Sequence, residues 1–452
     1  MTANLSILKR HSFLGNTLRI LKNPVDFLGG LPKLYGPVIV ANFGGKKYFI
    51  LQHPEYIKHV LVDNYKGYYK PGATKLLRLF LGEGLITTNG GLWLKQRRLL
   101  QPAFHKQKLV NMLDIINDET TLLIKKLDAF PKNTPINISN EFLKLDISII
   151  SKAIFSSSLE NEMSTLVKTL DELTGYASSW MKSIIKIPLN WPTASNINFK
   201  KNCKVFDSII YSIIKRRKEY RLNRESPAHG DLLDMLIEYF DEETNQGLSE
   251  KELRDEITTI FMAGYETISQ TLNWIFYHLA KEKKIARKVK MEAVDLVKGQ
   301  SISINDLHHL KFTKQVIQEA LRCYPSIYAL VRKPYYDDEI NGIKIPASSN
   351  VLINIYGMHH HPQYWNTPGD FNPGRFNDAG EEQRIPFVYL PFGGGPRLCI
   401  GNNFAMMVMQ VVVSRLSSFF EFDVPENYEP KIEPNITMRV KGQMKLIIRA
   451  KE

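Results

Sequence analysis

Apolar residues recur at helical spacing along most of this chain. Leu109–Leu127, Asn140–Phe155, Glu160–Ser178 and Phe199–Arg221 place apolar side chains at i, i+3, i+4 and i+7, which predicts helices with one buried stripe. Trp93–Gln107, Ile285–Val297 and Lys311–Cys323 follow the same rule. A longer helix opens at Leu248-Ser249-Glu250, with Ser249 as N-cap and Arg254 and Glu256 on its polar face, and runs to about Lys281. Tyr35-Gly36-Pro37 reads as a turn, after which Val38–Phe43 and Tyr48–Leu51 flank Gly44-Gly45 as a β-hairpin. Pro54 opens a short helix, Glu55 to Val62. Lys70 to Gly91 reads as an adaptable loop with a short helix inside it. Beyond Pro325 the pattern shortens to strands and turns through Val351–Ile355. His361–Arg384 is irregular, and Thr437–Arg449 is β-like. The expected class is mainly α with a minor β part, in one domain over residues 1–452.

Composition narrows the class. A 44% hydrophobic share suits a large globular core, and neither a repeat nor a low-complexity linker divides the chain. The net charge of +13 is spread along the length. Its densest run, Lys215-Arg216-Arg217-Lys218, reads as a solvated helix end, so no nucleic-acid role is expected. Three cysteines are too few for a disulfide framework and suit a reducing compartment. Lys9, Arg10, His11 and Arg19 interrupt Met1–Ile20, so neither a signal core nor a membrane span is expected there, and the reading is cytoplasmic.

Chemistry concentrates in a few places. Phe392-Gly393-Gly394-Gly395-Pro396-Arg397-Leu398-Cys399-Ile400-Gly401 delivers one cysteine on a glycine-rich loop ahead of a helical run, Asn402 to Phe419. The helix N-terminus favours thiolate over thiol, although a lone cysteine beside a turn also reads as a structural thiol. Within the long helix, Ala263-Gly264-Tyr265-Glu266-Thr267 combines a mid-helix glycine with a threonine able to bond back to the Ala263 carbonyl. That makes a notch with a hydroxyl and a carboxyl beside it. Glu319 and Arg322 share a helical face and, if exposed, would contribute only about 0.2–0.5 kcal/mol. Trp93 and Arg97, four apart, are donors suited to a carboxylate. His359-His360-His361 does not suggest a metal site, because adjacent side chains diverge. Cys203 and Cys323 read as inert thiols. Trp180–Pro192, rich in apolar and aromatic residues, reads either as core packing or as a lid over an apolar ligand.

In this order and spacing, Trp93/Arg97, Ala263–Thr267, Glu319/Arg322, Arg375 and the complete Phe-x-x-Gly-x-Arg-x-Cys-x-Gly loop resemble the cytochrome P-450 family over most of the chain. One departure is Gly374, where the family commonly has Glu in Pro-Glu-Arg-Phe. The resemblance implies haem b between the long helix and the helix after Cys399, with Cys399 as axial iron ligand. It makes Glu266 and Thr267 the proton-delivering pair, and Glu319, Arg322 and Arg375 a structural network. It assigns Trp93, Arg97, Arg332, Arg397 and Phe392 to cofactor binding, and Ala263, Ile327 and Ala329 to the substrate pocket.

The implied activity is a monooxygenase acting by hydroxylation or oxidative O-dealkylation. Fatty acid, terpenoid and steroid substrates are favoured, with a methylated sugar also open. The chain carries no flavin or nicotinamide fingerprint, so O2 activation would draw on a separate ferredoxin or flavodoxin with its NAD(P)H reductase. That partner would dock near Lys95, Arg98, Lys106 and Lys108 on a monomer. A haem-thiolate sensor or a non-redox isomerase is the competing reading; the intact Ala263–Thr267 notch favours the monooxygenase.

Overall fold

Gly44 and Gly45 both adopt positive φ (54° and 75°), as a two-residue hairpin turn with right-handed strand twist requires. They close Val38–Phe43 onto Lys46–Leu51, the second strand starting two residues before the sequence pattern indicates. In the computed structural model this hairpin seeds a six-stranded sheet. Its order is Leu5–Ile7, Val38–Phe43, Lys46–Leu51, Asn350–Ile353, Leu330–Pro334, Tyr68–Tyr69. The Asn350–Ile353 strand pairs parallel to the hairpin and antiparallel to Leu330–Pro334, setting Val351 opposite both Phe49 and Arg332. The structure describes residues 5–8, 15–71, 73–156, 159, 161–183, 186–222, 231–241, 245–297 and 301–449. Lys9, Arg10, His11, Glu160, Ile184 and Ile185, and the side chains of Leu76 and Lys106, lie outside the described residues.

The rest is helical. Ser249 caps its helix as expected, with Glu252 completing a capping box. The helix is not continuous to Lys281, however. Glu250–Gly264 ends, the chain turns at Tyr265 and Glu266, and Thr267–Lys281 forms a second helix. That second half is buried at every residue from Thr271 to Ala280, which marks it as the centre of the helical layer. The Asn402–Phe419 helix packs against it and against Lys106–Asp128 and Lys283–Val297. Trp93–Gln107 also divides. Gly90–Leu100 is α-helix, Gln101–Phe104 is a 3-10 turn around Pro102, and a new helix starts at Lys106, because Pro102 cannot continue the first.

Two polar assignments are overturned. Arg254 and Glu256 do not face solvent. Arg254 pairs with Asp207 and Asp255, while the Glu256 carboxyl accepts the Leu85 N–H at 3.1 Å, so this face clasps the Gly82–Leu85 loop. Arg217, read as part of a solvated helix end, is buried between Asp231 and Asp234, both at 2.9 Å.

Near the cysteine, Gly395 has φ +66°, and a Cβ there would sit 1.9 Å from the Leu61 carbonyl oxygen. Gly395→Ala should therefore cost at least about 1–3 kcal/mol of backbone strain. A urea titration of the holoprotein would show this as a lowered midpoint; an unchanged midpoint would mean that the loop is not held against Leu61.

Candidate active site

The loop from Phe392 to Gly401 is shaped by its own backbone. The Cys399 N–H donates to the Phe392 carbonyl at 3.0 Å and the Leu398 N–H to that of Gly395 at 2.9 Å, which turns the chain back on itself. Gly393, at φ +76°, supplies the left-handed step. Cys399 is surrounded by protein and yet keeps an exposed side chain, so it borders an internal space. Burial raises its thiol pKa, opposed by the Gly401 N–H and by the charge of Arg97. Arg97 Nη1 donates to the Leu398 carbonyl at 2.9 Å, tying the Gly90–Leu100 helix to the residue before the cysteine. The other two cysteines have thiols pushed up to about 12 by burial, and Cys323 is fully enclosed.

Behind the loop sits the ion network. Arg322 and Glu319 are completely buried, with Nε–Oε2 at 2.7 Å and Nη2–Oε1 at 2.9 Å. Arg375 adds its Nε to Glu319 at 3.3 Å and its Nη2 to the Thr367 carbonyl at 2.8 Å. Gly374 leaves the three-residue arrangement intact; its N–H is taken up by Asn372. The pair is thus not the solvated one that helical spacing alone would give.

Four side chains expected at a carboxylated ligand divide into two groups. Trp93 forms a platform, with the Arg397 guanidinium 4.1 Å above its ring. Arg397 donates to the Thr88 carbonyl and to Asn89 Oδ1, while buried Arg332 donates, among the described residues, only to the neighbouring Val331 carbonyl. Lys70, which sequence reasoning missed, joins them. Its ammonium is enclosed, donates to the Ile86 carbonyl at 2.9 Å, and is destabilised by burial and by the fields of Arg332 and Arg397. Burial likewise lowers Arg332 and Arg397 to about 10. Among the described residues no carboxylate pairs with any of the three. A buried cluster of cations answered only by carbonyls is a donor set that fits a ligand carrying two carboxylates, as haem does.

The other side is built by the broken helix. Thr267 Oγ1 donates to the Ala263 carbonyl at 3.1 Å, the back-bond expected from the sequence. Ala263 is exposed at the end of an otherwise buried helix face, the pattern of a cavity wall. Gly264 faces Ile150, whose Cδ1 would lie 2.6 Å from an added Cβ. Glu266 is engaged elsewhere: its carboxyl accepts from Thr437 Oγ1 at 2.7 Å and pairs with Arg439 at 2.5 Å. Burial lifts this carboxyl above its usual range against the pull of Arg439 and Thr437. Arg439 also reaches exposed Asp171 at 3.1 Å. A second acid, Asp146, sits fully buried beside the break, accepting the Ser269 N–H at 3.2 Å with Oδ1 unpartnered, and burial drives it toward its protonated form. Arg439 and Asp146 were also missed. Arg439 lies between the apolar neighbours Met438 and Val440, the only local signal. Ile327 and Ala329 are half-buried on the segment leading into the Leu330–Pro334 strand, and Ala329 packs against the sheet core.

The three consecutive histidines separate, and no group able to hold a metal ion is found among the described residues. Nor is any helix among them long and apolar enough to cross a membrane.

A thiol on a glycine-rich loop, a cation cluster and a hydroxyl at a helix break are thus the chemical groups this region offers. The cytochrome P450 family model matches residues 6–447, and the chain belongs to that family. Its cofactor is therefore haem b, and it is a monooxygenase that depends on O2 and a redox partner. It is 29% identical to Protein LUTEIN DEFICIENT 5, chloroplastic, of Arabidopsis thaliana, over 92% of this chain and 72% of that one. It is 28% identical to a cyclooctat-9-en-7-ol 5-monooxygenase of Streptomyces melanosporofaciens (90% and 86%) and to a human ultra-long-chain fatty acid omega-hydroxylase (87% and 77%).

Replacing one cation tests the cluster. Lys70→Met should stabilise the haem-free protein by removing a buried like charge. It should also weaken haem retention roughly tenfold or more, the scale of one charge-assisted hydrogen bond. Haem transfer to an excess of apomyoglobin measures the second effect; unchanged transfer would remove Lys70 from the site.

Proposed function

We propose that Cys399 ligates the haem iron and that the chain inserts one oxygen atom of O2 into a C–H bond of a small apolar substrate. The observation that carries this reading is the pairing of one accessible thiol on a loop braced by Arg97 with the Thr267 hydroxyl notch on the central helix. The haem, when bound, supplies the oxygen-activating redox chemistry. Lys70, Arg332 and Arg397 would hold its propionates, with Trp93 as the platform under Arg397; Arg97 braces the cysteine loop, which begins at Phe392. The Thr267 hydroxyl would give its proton to an oxygen bound in the notch, in place of the Ala263 carbonyl it now holds. Glu266 resupplies it after release from Arg439, which keeps its existing contact with Asp171. Glu319, Arg322 and Arg375 keep the supporting backbone in place.

Electrons come from a ferredoxin or flavodoxin and its reductase, docking near Arg98 and Lys108. Lys95 contributes less than its position suggests, being paired with Asp241. For substrate, the apolar residues around the notch, the candidate Ile327 and Ala329 positions, and relatives named for a fatty acid and for cyclooctat-9-en-7-ol favour an apolar molecule over a methylated sugar. Titrating fatty acids, terpenoids, steroids and methylated sugars into the ferric protein, and recording the Soret shift as bound water is displaced, tests that choice.

Two substitutions test the chemistry. Cys399→Ala should abolish the thiolate-type Soret band of the reduced CO complex; a retained band sinks the ligand assignment. Because positioned proton transfer contributes ~10²–10⁴-fold, Thr267→Ala should sharply cut product formed per O2 consumed while O2 uptake continues. Equal coupling in both proteins would exclude Thr267 from proton delivery.

A further inference from the structure

The three adjacent histidines take three separate tasks, and one of them reaches the cysteine loop. His360 Nδ1 meets the Tyr356 carbonyl at 2.9 Å, and His361 Nδ1 accepts the Gln363 N–H at 3.2 Å; both are local contacts. His359 is different. It is completely buried, and both of its ring nitrogens are used by distant backbone. The Leu390 N–H donates to Nε2 at 2.7 Å, so Nε2 must carry a lone pair. Nδ1, 3.2 Å from the Arg322 carbonyl, must then carry the hydrogen and donate it. The tautomer follows from the two partners, without any titration argument.

These bonds lie in an unbroken series. Glu319 holds the Arg322 guanidinium, and Arg322 Nη1 donates to the His359 carbonyl at 2.8 Å. The His359 ring returns a bond to the Arg322 carbonyl and accepts from Leu390. The Leu390 carbonyl accepts the Gly393 N–H at 3.1 Å, and the Phe392 carbonyl accepts the Cys399 N–H. Among the described residues, no other side chain hydrogen-bonds to the backbone of residues 390–393. The ion pair therefore reaches the cysteine loop through one imidazole.

We infer that His359, neutral and hydrogen-bearing on Nδ1, is the positioning residue that couples the Glu319–Arg322 pair to the Cys399 loop and sets how firmly Cys399 holds iron. The inference rests on the proposed ligation by Cys399. It uses no contact between His359 and the cofactor.

Two isosteric halves of the ring separate this from a general packing role. In His359→Gln the side-chain oxygen can occupy the Nε2 position and accept from Leu390. In His359→Asn only the Nδ1 position can be replaced, and the Leu390 N–H is left buried and unpaired. For the reduced CO complex, conversion from the thiolate-type to the blue-shifted thiol-type Soret band should be about tenfold faster in His359→Asn, as expected for one orphaned buried amide. His359→Gln keeps an acceptor for Leu390 and the Arg322 bond to the residue-359 carbonyl, and should stay much closer to the parent protein than His359→Asn. The reduction potential of the bound haem should shift in His359→Asn and return in His359→Gln. Equal behaviour of the two variants overturns the assignment.

If His359→Asn does not fold, the parent protein still decides. Long-range proton–nitrogen spectra of 15N-histidine-labelled holoprotein, with the signal assigned by its loss in His359→Gln, should show Nδ1 protonated and Nε2 bare. The opposite tautomer overturns the proposal. A parent protein lacking the thiolate-type band overturns the Cys399 reading and this one with it. A normal parent band with an unaffected His359→Asn overturns only the role of His359.

Discussion

The fold around the site depends on the buried contact between Glu319 and Arg322. Two full charges in the interior are tolerable only when every donor and acceptor is answered, and breaking such a set typically costs several kcal/mol. Here the answers come from chain with almost no regular structure. Arg322 gives hydrogen bonds to the carbonyls of His359, Pro368 and Asp370, and Glu319 receives the Asn372 N–H and the Arg375 guanidinium. An irregular stretch cannot satisfy its backbone through a helix or a sheet, so a charged pair that demands partners gives it one conformation. Phe392–Gly401 then inherits a fixed base.

Opposite that base, the central helix gives up regularity to gain chemistry. Two helices meeting at Tyr265–Glu266 expose backbone groups that a continuous helix would consume. Two of them have identified partners: the Ala263 carbonyl takes the Thr267 hydroxyl, and the Ser269 N–H goes to Asp146. The break is thus supported from the Ile138–Phe155 helix on one side, while the C-terminal Thr437–Arg439 segment secures the Glu266 side chain on the other. The cation cluster is assembled in the same way, from the chain before Pro71, a sheet strand and the cysteine loop.

Features with a local cause were legible in the sequence. The helix periods, the Gly44-Gly45 turn, the Ser249 cap and the Thr267 back-bond all arise within a few residues, and the glycine-rich loop declares its cysteine through neighbours that no ordinary turn needs. The partnership of Glu319 with Arg375 was reached through family resemblance, since helical spacing alone makes Glu319–Arg322 a surface pair. Arg217, Arg254 and Glu256 were misplaced because a charged residue within a helical pattern looks solvated until its partner is known. The Asp207 and Asp234 carboxylates and the Leu85 N–H that bury them come from other elements. Lys70, Asp146 and Arg439 went unseen for the same reason: each acquires its meaning from residues far away in sequence. The notch at Ala263–Thr267 was legible, but a helix read as running to about Lys281 divides at Tyr265 and Glu266.

The bond from Arg97 to the Leu398 carbonyl joins positions 301 residues apart, and those from Arg397 to Thr88 and Asn89 span 309 and 308. Contacts of such separation pay the full entropy of closing the intervening chain before they contribute anything. During synthesis Arg97 is made 301 residues before the carbonyl it will hold. The shape of the cysteine loop therefore rests on contacts that no short stretch of chain can make by itself.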